Sequence, residues 1–212
     1  MSTKQYANGV ITQASILMAA RQCFAKKGFF ETSMDDIELA ANTSRGVMYH
    51  HFKNKEEMIQ RITQENLGSM ADKVAFNLER LRSEGGGDLR QILSNLMELT
   101  EAITLGPGRA MSIHVWSLAL INPNVQQTLQ TCFERIRLLL KGELLALQAK
   151  GKYPAKADLD RLSVALFSVQ IPGFIVQRLF LGEHSLKPDE FIDAMVKLFA
   201  PNTAAVKTKR VK

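Results

Sequence analysis

At 212 residues, 46% hydrophobic and 23% charged, the chain has the composition of an ordinary globular protein, which argues against disorder. It is long enough for one large helical domain, or for a small domain plus a larger one. The net charge of +6 sits at the two ends: Met1 to Lys55 carries seven basic residues against four acidic, the tail from Pro201 adds four more basic residues and no acid, and the middle is close to −1. That distribution suits a polyanionic partner.

Met1 to Gly9 is polar and reads as a fraying arm, with Lys4 placed to follow a phosphate backbone. From about Val10 to Lys27, Ile16, Leu17, Ala20 and Phe24 recur at helical spacing, and Gly28 is a natural stop. The stretch Thr32 to Lys55 then holds two short helices across a tight corner. Ser33 and Asp36 form a capping-box-like start, followed by Met34, Ile37, Ala40 and Ala41 on one apolar face. Asn42 tolerates a left-handed backbone, and Thr43 or Ser44 can cap a second helix over Arg45 to His51. This is the plan of a helix-turn-helix. Ile37, Ala41, Met48 and Phe52 are expected to complete a three-helix core with the first helix.

Asn54 caps a long helix from Lys55, with Glu57 at the capping-box position, and Ile59, Ile62, Leu67, Met70, Val74, Leu78 and Leu81 tracing one face to a stop at Gly85-Gly86-Gly87. Asp88 opens a fifth helix that ends at Gly106-Pro107-Gly108, and a sixth carries Met111, Val115 and Leu118. Asn122-Pro123 starts a seventh that runs to Gly151. After Pro154, Leu159, Leu162, Leu166, Val169, Gly173, Val176 and Phe180 follow a 3-4 spacing, flanked by a second stripe of Phe167, Ile171, Phe174 and Leu181. Such a helix is apolar on two sides, so one side asks for a partner. Lys187-Pro188 begins a last helix closed by Pro201. No strand-like alternation intervenes, so the predicted fold is all-α: an N-terminal three-helix helix-turn-helix domain followed by a larger helical ligand-binding and dimerisation domain, about nine helices in total. The expected division is 1–54, 55–200 and a basic tail over 201–212.

The residues of the corner resemble the DNA-binding half of the TetR/AcrR family of bacterial regulators. Gly28-Phe29, Thr32-Ser33, Ile37, Ala41, Ser44, Gly46, Met48-Tyr49, His51-Phe52 and Lys55-Glu56-Glu57-Met58 stand in the family's order and spacing, over about residues 12 to 60. Glu38 replaces a small residue, Asn42 a turn glycine and Thr43 an apolar turn residue. Beyond residue 60 the likeness is one of helix plan and length. The resemblance implies a homodimer on a double-stranded DNA operator, built from two helices of each subunit, and a small-molecule effector held among helices five to eight.

On chemistry, Arg45 is the best base reader, because a guanidinium pairs bidentately with guanine O6 and N7. Gly46 lets the backbone approach DNA and Val47 can touch a thymine methyl, while Ser33, Ser44, Tyr49, His50 and Lys55 look like phosphate contacts. Tyr49 also reads as a core aromatic and His50 as a merely exposed residue. For the effector, Arg109, His114 and Trp116 share a short helix, Gln170 and Gln177 lie on one face beside Phe174 and a Pro172-Gly173 kink, and Met97 and Met111 offer adaptable walls. Each of these also fits an ordinary core or surface position. An aromatic or lipophilic ligand is expected.

No cofactor, metal or catalytic residue is expected. His50 and His51 point about 100° apart on a helix and no further ligand completes a zinc set, Cys23 has no evident base, and Gly85-Gly86-Gly87 lacks the lysine and hydroxyl of a nucleotide loop. Cys23 and Cys132 read as reduced and buried. Every candidate 18-residue apolar run is interrupted by a charged or amide side chain and no leader pattern is present, so a cytoplasmic protein with no membrane contact is expected. The sequence leaves a second reading open, an all-helical small-molecule binding protein with only weak nonspecific DNA binding.

Overall fold

A computed structural model describes residues 3–105 and 109–200. Among them there is no strand. The helices are α1 (Thr3–Lys27), α2 (Met34–Ala41), α3 (Arg45–His51), α4 (Lys55–Ser83), α5 (Leu89–Leu105), α6 (Arg109–Ala119), α7 (Pro123–Ala149), α8 (Leu159–Ser168), α9 (Phe174–Phe180) and α10 (Pro188–Phe199), with a π-helical turn Val169–Gly173 joining α8 to α9. Counting that joined run as one rod gives the nine helices the periodicity predicts. The first helix differs from expectation: it starts at Thr3 rather than near Val10. Nothing between those positions breaks a helix outright, because Gly9 costs only ~1 kcal/mol relative to Ala.

The chain forms two compact units. The first comprises Met1–Ser69 with Leu105–Cys132, and the second Met70–Thr104 with Phe133–Lys212. In the first, Ile16, Ala20 and Phe24 of α1, Ile37 of α2, Met48 and Phe52 of α3 and its end, and Met58, Ile59 and Ile62 of α4 are buried. Burying each such side chain contributes ~1.5 to 3 kcal/mol. Of the four apolar α2 residues the sequence places on one face, only Ile37 is fully buried; Ala40 is exposed. Eight residues give α2 barely two turns, too few to bury a whole stripe.

Caps define where these helices begin. Ser33 Oγ accepts from the Asp36 amide at 3.1 Å, and Asp36 accepts from the Ser33 amide at 2.9 Å. Lys27, at the end of α1, donates to Asp36 at 2.5 Å and ties the two helices together. That bond from Lys27, followed by those from Ser33, holds the Asp36 carboxyl down at about 2. The unfolded chain protonates the same group near ~3.9. The cap's contribution is therefore complete above about pH 4 and is lost as pH falls toward 2. We expect Asp36→Asn to remove this part of the acid dependence of unfolding, read by circular dichroism along an acid titration of both proteins; superimposable acid limbs would remove the linkage.

In the second unit the core is formed by Val74 and Leu78 of α4, Ile92, Leu93, Leu96 and Met97 of α5, Ile136, Leu140, Leu144 and Leu147 of α7, Leu166, Phe174 and Ile175 of the α8–α9 run, and Phe191, Ile192 and Met195 of α10. Phe174 meets Phe191 edge-on with ring centroids 5.1 Å apart. The 3-4 seam predicted along α8 is not continuous. Leu159 and Leu166 are buried, but Val169, Val176 and Phe180 face outward. The cause is the π turn: Pro172 has no amide to donate, and the wider turn absorbs the break while rotating everything after it. Inward places pass to Gln170, Ile171, Phe174 and Ile175.

Candidate nucleic-acid interface

The corner between α2 and α3 is three residues long, Asn42 to Ser44. Asn42 stands at φ 48°, ψ 48°, the left-handed conformation that glycine adopts most readily, and its amide donates back to the α2 carbonyls of Glu38 and Leu39. Ser44 caps α3, its Oγ accepting from the Val47 amide at 3.4 Å. Met48 and Phe52 are buried beneath the helix. With α3 pinned by these two side chains, its other face, Arg45, Gly46, Val47, Tyr49 and His50, is exposed.

Arg45 is 68% exposed along its side chain and has two neighbours: the Asp35 carboxylate of α2 at 3.7 Å, and the Tyr49 ring, whose centroid lies 5.7 Å from the guanidinium carbon. Asp35, Glu38, Leu39, Asn42, Thr43 and Arg45 line one shallow open groove between α2 and α3. His50 and His51 rings stack edge-on at 5.2 Å. Among the described residues, no three His, Cys, Asp or Glu gather where a metal ion would sit.

Ser33 and Lys55 have intramolecular duties. The Ser33 hydroxyl is engaged with Asp36 in the α2 cap. Lys55 Nζ donates to the carbonyls of Phe29, Phe30 and Thr32 at 2.9, 2.9 and 3.1 Å and lies 4.8 Å from the centre of the Phe29 ring. All three ammonium protons hold the loop between α1 and α2. This role is invisible in sequence, because the partners are backbone atoms 23 to 26 residues away. Cys23 is part-buried; burial and then the Asp36 charge push its thiol up, so it stays protonated, and it makes only a long contact to the Asp36 carbonyl at 3.8 Å.

The residues expected around an effector are divided between the units. His114 and the half-buried Trp116 are in the first unit, where the His114 ring lies edge-on to Phe30 at 5.4 Å. Met97, Gln170, Phe174 and Gln177 are in the second, all buried. Gln177 is satisfied by the backbone of Leu186, accepting at 2.6 Å and donating at 3.0 Å. Gln170 donates to Leu93 O at 3.2 Å, while its Oε1 has no partner. The side chains of Arg109 and Met111 lie outside the described residues, as do those of Lys4 and of the 201–212 tail.

The profile of "Bacterial regulatory proteins, tetR family" matches residues 16–62, the segment that forms this corner and its supports. The transcriptional regulator TtgR of Pseudomonas putida is 28% identical over 180 residues, covering 81% of this chain and 82% of its own. The structure of Salmonella enterica GusR is 29% identical with a TM-score of 0.64, covering 89% of this chain and 95% of that one. The chain belongs to the TetR family of bacterial regulators. The transcriptional repressor AcnR of Corynebacterium efficiens is 35% identical over 68 residues, 32% of this chain. Membership makes this TetR protein a transcriptional regulator rather than an enzyme, and gives the exposed face of α3 its partner, DNA. One run, Leu159–Phe180, is long and apolar enough by length and composition to cross a membrane. Its Gln170 and Gln177 are instead buried in contact with protein backbone.

Proposed function

We propose that the protein is a ligand-responsive repressor that binds a palindromic operator as a homodimer and leaves it when a small lipophilic or aromatic molecule enters the second unit. The observation that carries this is the outward face of α3: a guanidinium, a small backbone position, a short apolar side chain and two polar rings on a helix held by buried Met48 and Phe52. Arg45 reads a base edge, Gly46 and Val47 admit the duplex closely, and Ser44, Tyr49 and His50 meet phosphates. Ser33 and Lys55 act through the cap and the loop they hold. Residues 1–54 supply the reading head, 55–200 the effector and dimer functions, and 201–212 a basic tail.

Dimer formation is supported by apolar side chains left without cover: Val164, Val169, Val176, Phe180 and Leu181 on the α8–α9 run and Leu198 on α10, with Phe180 70% exposed. A second copy laying the same two helices against these would form a four-helix interface. We expect light scattering to give a dimer at micromolar concentration and Phe180→Asp to give a monomer, because a charge buried at such a seam has no partner. A monomeric wild type would remove this part of the reading.

The effector is assigned to the second unit because Gln170 keeps a buried, unpaired acceptor beside Leu93 in an otherwise apolar core that includes Met97 and Phe174. Leaving such an oxygen unpaired costs ~1 to 3 kcal/mol, which a ligand donor would offset. The function is tested by enrichment of bound sequences from a randomised duplex pool. A palindrome with half-sites about one helical turn, ~34 Å, apart is the expected result. Failure to enrich any sequence would overturn it.

A further inference from the structure

We infer that Asp35 is a specificity-determining residue: its carboxylate holds the Arg45 guanidinium away from DNA phosphates and leaves it for a base edge. This deepens the operator-binding reading and rests on it. The groove between α2 and α3 has two carboxylates on its α2 wall, Asp35 and Glu38, and one cation on its α3 wall, Arg45. Asp35 is the carboxylate within reach of that cation, at 3.7 Å, and Tyr49 flanks the same guanidinium one turn along α3. No side chain in the groove other than Arg45 is positively charged.

An arginine on an exposed helix end has two possible partners in a duplex. Phosphate is charged, abundant and independent of sequence, whereas guanine O6 and N7 form a neutral edge found at one base pair type. A carboxylate at the guanidinium repels a phosphate approaching the same fork, and does little to a neutral base edge taking its other side. Asp35 thus weakens the nonspecific mode more than the specific one, the repulsive element that discrimination needs. Both side chains are largely exposed, so the ion pair adds little to fold stability. Its effect lies in which complex Arg45 can form.

The bland alternative is that Asp35 is simply a first-turn acid that complements the α2 dipole, together with Asp36. That role affects stability and leaves the ratio of specific to nonspecific affinity untouched. Asp36 makes the cap bonds, so Asp35 can be changed without removing them.

The experiment takes the duplex enriched by the wild-type dimer and a scrambled duplex of equal composition, and measures both affinities over a range of salt for wild type, Asp35→Asn and Asp35→Glu. With Asp35→Asn, binding to the scrambled duplex is expected to tighten on the order of tenfold, with its salt slope steeper by about one per subunit as Arg45 takes a phosphate. Operator binding changes by less than about threefold, so the specificity ratio falls, and Asp35→Glu keeps it. Equal tightening on both duplexes would reduce Asp35 to a diffuse charge and overturn the inference, as would no change on either. If the wild type enriches no sequence, the operator reading itself fails and this inference falls with it; if it enriches one and the Asp35→Asn ratio stays at the wild-type value, only this inference fails.

Discussion

Arg45→Ala is expected to abolish sequence-selective DNA binding while leaving the protein folded and dimeric. The side chain is exposed, and its only listed neighbours are the Asp35 carboxylate and the Tyr49 ring, so no core contact is lost with it. A bidentate arginine–guanine contact discriminates by ~1 to 3 kcal/mol. Two copies in a dimer double that to about 2 to 6 kcal/mol, a loss on the order of tens to thousands of fold on the operator. Titration of a fluorescent operator and a scrambled duplex separates the outcomes. Loss on the operator alone identifies a base contact. Uniform loss on both duplexes, with the salt slope shallower by about one per subunit, would make Arg45 a phosphate contact and move the reading role elsewhere on α3.

The features of this corner that sequence made legible are those set by neighbours in the chain. The Ser33–Asp36 box, the Ser44 cap and the left-handed Asn42 each follow from one side chain acting on backbone within four residues. Helix existence was equally legible, because period and stop signals are local. What sequence hid is what depends on distant partners. Lys55 sits in a basic, polar stretch and looks like a free cation, yet its ammonium is taken by three carbonyls of another loop. Asp35 looks like one more first-turn acid until the corner swings Arg45 to within 3.7 Å of it. The seam of α8 failed for a different reason: a proline was legible as a kink, but a π turn changes phase, and the exposed face after Gly173 cannot be projected from the spacing before it.

The same loop carries the second large effect, the loss expected from Lys55→Met. Hydrogen bonds to a charged donor contribute ~1.5 to 3 kcal/mol each, but the three made by Lys55 do not add in full. The bond to Phe30 O is on the exposed side, where water replaces it; those to Phe29 O and Thr32 O are part-buried and leave carbonyls poorly served. Methionine keeps a contact with the Phe29 ring, which recovers part of the 4.8 Å cation–π interaction. A net loss of about 2 to 4 kcal/mol follows, lowering the thermal midpoint by roughly 5 to 10 °C for a chain of this size. Lys55→Arg is expected to rescue little, since a planar fork does not send three protons to carbonyls converging on one point. The consequence for DNA comes through position: Thr32, whose buried hydroxyl donates to Gly28 O at 2.7 Å, immediately precedes the Ser33 cap, so a loosened loop lets α2 and the corner shift. Lys55→Met should therefore weaken operator binding with its salt dependence unchanged, because no phosphate partner has been removed. A salt slope shallower by about one per subunit, with the melting temperature unmoved, would show instead that the ammonium leaves its three carbonyls for the duplex.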